Sequence, residues 1–289
     1  MRNFLLVTVW IPTYNRKEML ERSLKSVLNQ NYKSIDLFIV DNGSRDGAAE
    51  VVESYIKNHI NIIYHRFDSN KGAWAARNYA INNSNGELVT GFDDDDEFFE
   101  GRIEQLVSAY DEKHAFVCAC FYWDCGVYRK EKIDHDLEIS LHDQLNFNQA
   151  SNQELVSKQR MIDIGLFDED MISCQDWDVW RRLIIKYGVA LRVPTPSYIV
   201  HTSYNKPRIT GNINKRLAGL EQFYKKYHTL MSPQNSKCFA FLKHYNSEKK
   251  LNLFDFYKLF SWSIKDQVIR YFIAFYFPQL AKRRLERLR

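Results

Sequence analysis

No uninterrupted apolar run in this sequence reaches the roughly 18 to 20 residues that a membrane span needs. The nearest approach, Val268-Ile269 and Tyr271 to Pro278, is cut by Arg270, so the chain is expected to rest on a membrane, if it meets one, and not to cross it. The short apolar run from Phe4 to Pro12 lacks a small-residue cleavage site before the polar Thr13-Tyr14-Asn15-Arg16-Lys17, and reads as a first core strand rather than a signal peptide. The five cysteines include no CxxC pair and no nearby His at ligand spacing, so Cys118, Cys120 and Cys125 read as reduced core thiols. A formal charge of +4 is too small to imply a nucleic-acid partner. Internal repeats and low-complexity segments are also missing.

Across 289 residues there is material for one large core and an appendage. Phe and Tyr are plentiful, which suits cores, stacking on planar ligands and membrane interfaces alike. In the first half, short apolar runs alternate with helical patterns, the signature of strand and helix units around a mainly parallel sheet. Strands are expected at residues 5–11, 35–40, 61–67, 87–92 and 115–123. Asn15 and Glu18 suggest a capping box, followed by Leu20, Leu24, Val27 and Leu28 at helical spacing. That pattern puts residues 13–15 at a strand's carboxyl end before a helix N-terminus, where open α/β sheets bind ligands and free N–H groups favour phosphate. Asp41 to Gly47 repeats the geometry after the second strand, and Asn70-Lys71-Gly72 repeats it before a helix over 73–82. Three loops thus converge on one edge, with a polar, mobile loop over 124–153 expected to cover it. Helices over 153–164 and 177–187 and a strand over 190–200 follow. Beyond Pro207 the pattern is helical, aromatic and Lys-rich, which divides the chain into residues 1–206 and a helical appendage, 207–289.

The most informative segment is an apolar strand ending in Asp93-Asp94-Asp95-Asp96. So much like charge needs a positive counterpart, and hard oxygen ligands at a strand end suit Mg²⁺ or Mn²⁺ carrying a diphosphate. A solvated acidic turn or a helix N-terminus would also hold carboxylates, but the three neighbouring loops weigh toward metal.

Pro12-Thr13-Tyr14-Asn15-Arg16, Val40 to Asp46, Asn70-Lys71-Gly72 through Arg77-Asn78, and the aspartate run occur in the order and spacing of family 2 inverting glycosyltransferases, which the first 200 or so residues resemble. The resemblance implies a GT-A fold, Rossmann-like with a mainly parallel central sheet flanked by helices. It implies that Asp93-Asp94-Asp95 is the DxD motif, with Asp95 the direct metal ligand and Asp93 near the ribose or the metal's waters. Asp41 would read the uracil of a UDP-sugar, Pro12-Thr13-Tyr14 would cradle it, and Arg77 would hold the diphosphate or sugar; Asn15, Lys71 and Asp94 fall in the same donor-binding motifs. A uracil N–H flanked by carbonyls does suit a carboxylate and turn amides, though Asp41 could equally organise its own turn.

Asp176 resembles the general base, in an element where the family has Glu-Asp and this chain has Gln175-Asp176. Gln175 would then be left a hydrogen-bonding role toward the acceptor. Asp176 could also cap its helix, a role worth about 1 kcal/mol. Asp178 points about 200° away from it. His201, in a region that completes the metal site in GT-A enzymes, precedes Lys206 and Arg208, which suggest a flap over the diphosphate. Trp177 and Trp180 lie three apart; one could stack on an acceptor sugar, and core packing suits at least one. The basic, aromatic C-terminal stretch, ending Lys282-Arg283-Arg284-Leu285-Glu286-Arg287-Leu288-Arg289, fits either a membrane surface on the cytoplasmic side or an ordinary packed helical pair. On the membrane reading the acceptor is a lipid-linked saccharide. Resemblance then points to glucose or galactose transfer onto an undecaprenyl-diphosphate-linked N-acetylhexosamine in O-antigen or other surface-polysaccharide synthesis at the inner membrane. A Mg²⁺-dependent nucleotidyltransferase would call for a glycine-rich N-terminal loop, which Pro12 to Arg16 lacks. A non-catalytic membrane- or carbohydrate-binding module leaves the four loop motifs unexplained.

Overall fold

Alternating apolar residues pull Val7–Thr13 into the centre of a sheet, where Val7, Val9 and Ile11 are wholly buried. The computed structural model describes residues 5–124, 126, 129–132, 137–151, 154–202 and 212–280. Its strands and helices in chain order are β1 (Val7–Thr13), α1 (Lys17–Leu28), β2 (Ile35–Asp41), α2 (Ala48–Ile56), β3 (Ile62–Arg66), α3 (Ala73–Asn83), β4 (Leu88–Gly91), β5 (Glu97–Phe98), α4 (Arg102–Ala109), β6 (Val117–Ala119), β7 (Phe121–Asp124), β8 (Arg129–Lys132), β9 (Glu138–Ile139), α5 (Leu141–Asn146), β10 (Leu155–Ser157), α6 (Lys158–Asp163), α7 (Gln175–Tyr187), β11 (Ala190–Val193), β12 (Tyr198–His201), α8 (Ile213–Tyr227), α9 (Pro233–Asn246), α10 (Leu253–Leu259) and α11 (Lys265–Tyr276).

Two compact units result. The larger holds an eight-stranded sheet in the order β3-β2-β1-β4-β10-β6-β11-β9 and a four-stranded sheet, β5-β12-β7-β8. β1, β2, β3 and β4 are mutually parallel where they pair, so the chain winds outward from β1 to β3 and then crosses back to β4 on the other side of β1. The carboxyl ends of β1 and β4 therefore flank a topological switch point, the crevice where open α/β sheets hold ligands. The smaller unit gathers Asn205–Arg289 with Leu141–Gln149 and Asp170–Gln175. Asn235 ties α9 to the α5 segment, its Nδ2 donating to the His142 carbonyl at 3.0 Å and to Asn146 Oδ1 at 2.8 Å.

Five sequence expectations change. Asn15 makes no capping box: Arg16 stands at the N-cap of α1 without a side-chain cap bond, and Asn15 adopts a left-handed φ of 53° and reaches elsewhere. The run over 115–123 is two strands in different sheets, broken at Cys120, whose N–H donates to the Val193 carbonyl at 3.0 Å. The run over 190–200 divides likewise, because Pro194 and Pro196 have no N–H for a ladder. Residues 155–157 form a strand, antiparallel to both β4 and β6, instead of helix. Within 124–153 the described residues form a hairpin, a short strand and a helix rather than an irregular cover. Cys118, Cys120 and Cys238 are buried free thiols, as read; Cys125 lies outside the described residues.

Gly86 shows how closely β1 and β4 approach. A Cβ there would lie 2.6 Å from both the Leu88 carbonyl oxygen and the Thr8 backbone nitrogen. Gly86→Ala should therefore cost about 1–3 kcal/mol and lower the melting temperature; an unchanged thermal transition would contradict this packing.

Candidate active site

Three loops meet at the switch point, and three asparagines lace them together. Asn15 N–H donates to Ser44 Oγ at 2.9 Å, and its Oδ1 accepts from Arg45 N–H at 2.8 Å. Asn42 Nδ2 donates to Asn70 Oδ1 at 3.0 Å while Asn42 Oδ1 accepts from Lys71 N–H at 2.8 Å. Asn70 Oδ1 also accepts from Gly72 N–H at 2.9 Å. Each side chain satisfies backbone donors that the loops leave unpaired.

Asp41, at the end of β2, is fully buried. Its Oδ1 accepts from Ser44 N–H at 2.7 Å, so the turn-organising role is present, and its Oδ2 accepts from the Tyr64 hydroxyl at 2.8 Å with Arg66 Nε 3.8 Å away. Burial, with the Asp41 hydrogen bond, holds the Tyr64 phenol well above its usual range. Tyr14 stands exposed at the same loop and Pro12 half-buried. Lys71 Nζ lies 4.6 Å from the Phe67 ring centroid. Lys206 and Arg208 lie outside the described residues.

The aspartate run follows β4 and splits into two functions. Asp94 turns inward: its carboxylate accepts from Thr13 Oγ1 at 2.8 Å and from Arg16 Nη1 at 2.9 Å. Burial pushes its carboxyl up to about 6, with Arg16 opposing. Asp93, Asp95 and Asp96 turn together, and one oxygen of each lies within 4.8 Å of the others. That is an all-oxygen set of the hard type that Mg²⁺ and Mn²⁺ accept, so the residues fit the expected cation. Burial and then the charges of Asp93 and Asp95 hold the Asp96 carboxyl well above its ordinary value, a strain that a cation relieves.

Cations and fixed dipoles frame this set. Arg16 Nη1 also reaches Asp95 at 3.0 Å, and the Arg22 guanidinium donates to the Asp95 backbone carbonyl. Arg77 Nη2 lies 3.4 Å from Asp93, its guanidinium facing the rings of Trp10 and Phe167. Ser23 Oγ contacts the Asp94 and Asp96 carbonyls at 2.9 and 3.0 Å. From β12, the Tyr198 hydroxyl donates to Asp96 at 2.9 Å and the His201 N–H at 3.0 Å. The His201 imidazole lies 2.6 Å from Glu97 and 3.9 Å from Asp124.

Asp176 is half-buried in the first turn of α7. It and Asp93 both raise the carboxyl of Glu154, after burial as the main cause, so the three carboxylates share one electrostatic neighbourhood. Glu154 is 1% exposed, and among the described residues neither of its oxygens meets a donor from another residue. Trp177, expected to face an acceptor, is core: it is 3% exposed, with the Arg181 guanidinium 4.5 Å from its ring. Trp180 is buried as well, donating to the Ser151 carbonyl at 2.6 Å. Gln175 Nε2 donates to the Met171 carbonyl at 2.9 Å. Asp178 pairs with Arg182 at 2.8 Å, away from any such role. Sequence reasoning missed Arg22, Tyr64, Arg66, Glu154 and Tyr198, and gave Arg16 and Asp96 no role. Arg16 and Asp96 sat inside quoted motifs; the others carry no local signal, because their partners are distant in the chain.

Asp94 gives a pH prediction. Its folded carboxyl titrates near 6, above the unfolded value of about 3.9, so the native state binds the proton more tightly. The contribution is complete below the unfolded value and is lost as pH rises through about 6. Metal-free wild type should lose stability relative to Asp94→Asn between pH 4 and pH 7, read as melting temperatures; parallel curves would show that Asp94 is not held this way.

The motifs and geometry agree with what comparison finds. The description glycosyl transferase family 2 matches residues 8–169. Among curated proteins, one described as a colanic acid biosynthesis glycosyl transferase, WcaA of Escherichia coli strain K12, is 30% identical over 78% of this chain and 83% of its own. A GalNAc(5)-diNAcBac-PP-undecaprenol beta-1,3-glucosyltransferase of Campylobacter jejuni is 26% identical over 76% of this chain and 70% of its own. Among solved structures, TarS 1–349 of S. aureus in complex with UDP-GlcNAc superposes with a TM-score of 0.69 at 17% identity, covering 93% of this chain and 81% of that one. The mannosyltransferase PcManGT of Pyrobaculum calidifontis, in complex with GDP-Man and Mn²⁺, gives 0.62 at 16%, covering 92% and 74%. The fold is therefore the GT-A glycosyltransferase fold, with a helical C-terminal region. With the family matched over more than half its length and the carboxylates gathered at the sheet's switch point, this chain belongs to glycosyl transferase family 2 and is a glycosyltransferase.

Proposed function

We propose that the chain is an inverting, divalent-metal-dependent hexosyltransferase of surface-polysaccharide synthesis. It would move glucose or galactose from a UDP-sugar to a hydroxyl of a lipid-diphosphate-linked N-acetylhexosamine. The observation that carries this reading is the convergence of Asp93, Asp95 and Asp96 beside Arg16, Arg22 and Arg77 at the switch point. UDP and not GDP is favoured by Asp41 at the end of β2, and by the UDP-GlcNAc in TarS.

Asp93, Asp95 and Asp96 would hold Mg²⁺ or Mn²⁺, which supplies positive charge where the leaving diphosphate gains negative charge. Arg77 orients the donor from the Asp93 side, Lys71 and Asn15 belong to the loops that receive the nucleotide, and Tyr14 offers an exposed ring to it. Lys206 and Arg208 would close over the diphosphate. Asp176 takes the proton of the acceptor hydroxyl, needing only to be ionised and correctly placed. The acceptor oxygen then bonds to the anomeric carbon from the face opposite the diphosphate, and the bond to the departing oxygen breaks with its electron pair. Configuration is inverted, and no covalent enzyme intermediate forms. Gln175 is assigned to the acceptor side.

The acceptor follows the Campylobacter relative, whose name specifies an undecaprenol-diphosphate-linked saccharide, and the colanic acid protein supports a polysaccharide context. A lipid-carried acceptor places the work at the cytoplasmic face of the inner membrane. Among the described residues no helix is long and apolar enough to cross a membrane, so the contact would be peripheral.

With Mn²⁺ present, UDP should be released from UDP-glucose or UDP-galactose in the presence of a lipid-diphosphate N-acetylhexosamine. Asp95→Ala should abolish this. Asp176→Asn should reduce transfer by about 100-fold or more while UDP still binds. Turnover of GDP-mannose alone would overturn the donor, and full transfer by Asp176→Asn would move the base elsewhere.

A further inference from the structure

Helix α10 is apolar on two opposite faces. Phe256 and Leu259 point inward, joining Leu251, Cys238, Phe241, Ile264 and Val268 in the core of the second unit. At about 100° per residue, Leu253, Phe254 and Tyr257 share an arc on the other side. Their exposures are 74%, 74% and 84%, and Trp262, just past the helix, is 79% exposed. A helix that packs on one side ordinarily turns polar residues to water on the other. Single exposed apolar residues are common, but four this open within ten positions call for a second apolar environment.

The charge around the ridge selects what that environment is. Lys258 and Lys265 are exposed beside it, and Lys265 Nζ lies 5.2 Å from the Trp262 ring centroid. Over the described residues 249–280 the sequence holds five Lys and Arg against two Asp, a net of +3. A second copy of the chain would bring the same positive charge and be repelled. An anionic bilayer surface neutralises the lysines and accepts Trp and Tyr at headgroup depth.

We propose that Leu253, Phe254, Tyr257 and Trp262 insert into the headgroup region of an anionic lipid bilayer, with Lys258 and Lys265 at the rim of the inserted ridge. This deepens the lipid-acceptor reading by naming the surface that meets the lipid. The contact is peripheral and reversible, as an amphipathic element without a spanning segment gives.

Flotation of the full chain with vesicles tests it. Wild type should partition onto phosphatidylglycerol-containing vesicles and much less onto pure phosphatidylcholine, with binding weakened by salt. Phe254→Ser/Tyr257→Ser/Trp262→Ser should lose at least about tenfold in partitioning, and Lys258→Gln or Lys265→Gln about fivefold each. Because these side chains are exposed, the melting temperature and UDP release with a water-soluble acceptor should stay unchanged. Failure of wild type to bind anionic vesicles, or undiminished flotation of the triple variant, overturns the proposal. So does a wild-type dimer that the triple variant disperses without any vesicle binding, which assigns the ridge to a second copy. Absence of UDP release with vesicle binding intact would sink the glycosyl-transfer reading and leave this surface standing.

Discussion

Four adjacent carboxylates at the end of one strand repel one another, and the surrounding structure is arranged to hold them in place. Two like charges about 4 Å apart interact by roughly 4 kcal/mol near a protein surface, so the run persists only with compensation built from elsewhere in the chain. Thr13 and Arg16 take Asp94, Arg22 and Ser23 take backbone carbonyls, and Tyr198 with the His201 N–H takes Asp96. These partners come from β1, α1 and β12, separated from the run by about 70 to 105 positions. The first and last strands of the larger unit are thus tied to the same acidic turn. Asp93 and Asp95 meet Arg77 and Arg16 in turn, and with Asp96 they still gather one oxygen each within 4.8 Å, beside the crevice where a cation and a diphosphate would be received.

The asparagines solve a related problem in the loops. A crevice at strand ends is lined by backbone N–H groups, which attract phosphate only if the loops keep them in position. Asn15, Asn42 and Asn70 each use a side-chain amide as a stand-in for missing backbone partners, so the loops brace one another across the crevice. Asn78 does the same farther down: its amide exchanges hydrogen bonds of 2.9 Å with both backbone groups of Phe167, fixing the chain that leads toward α7 and Asp176.

How legible this was depended on the range of the interaction. Strands β1 to β4 were readable because a parallel sheet buried on both faces forces continuous apolar runs, and α1, α3 and α7 followed from helical spacing. β10 was misread because three residues with Lys and Gln just after them look helical; only pairing with β4 and β6 makes them a strand. The splitting of two longer runs between sheets was visible at Pro194 and Pro196 and invisible at Cys120. In the site, the aspartate run and the loop motifs announced themselves, while the division of labour within the run did not. Which carboxylate turns inward depends on Thr13 and Arg16, about 80 residues earlier, and the contacts of the His201 imidazole depend on Glu97 and Asp124. Trp177 looked available because its helix was placed correctly, but the burial of a helix face is decided by what packs on it.

Glu154 shows how the same electrostatics extends below the crevice. By the antiparallel register that sets Leu155 opposite Thr90, it stands beside the end of β4, just before the aspartates begin. With both oxygens buried and, among the described residues, met by no donor from another residue, an ionised Glu154 would add another negative charge beneath three carboxylates already gathered. Burial, then Asp176 and Asp93, favour the protonated form, against its own backbone N–H and the pull of Arg102. That shift limits the negative charge added beneath Asp176 and the aspartates. Arg102, wholly buried and pulled down to about 10 by desolvation, remains cationic at neutral pH and supplies a fixed positive charge from the protein side. The crevice is therefore polarised from within: carboxylates gather at its rim, and burial with their charge shifts the one beneath them toward its neutral form.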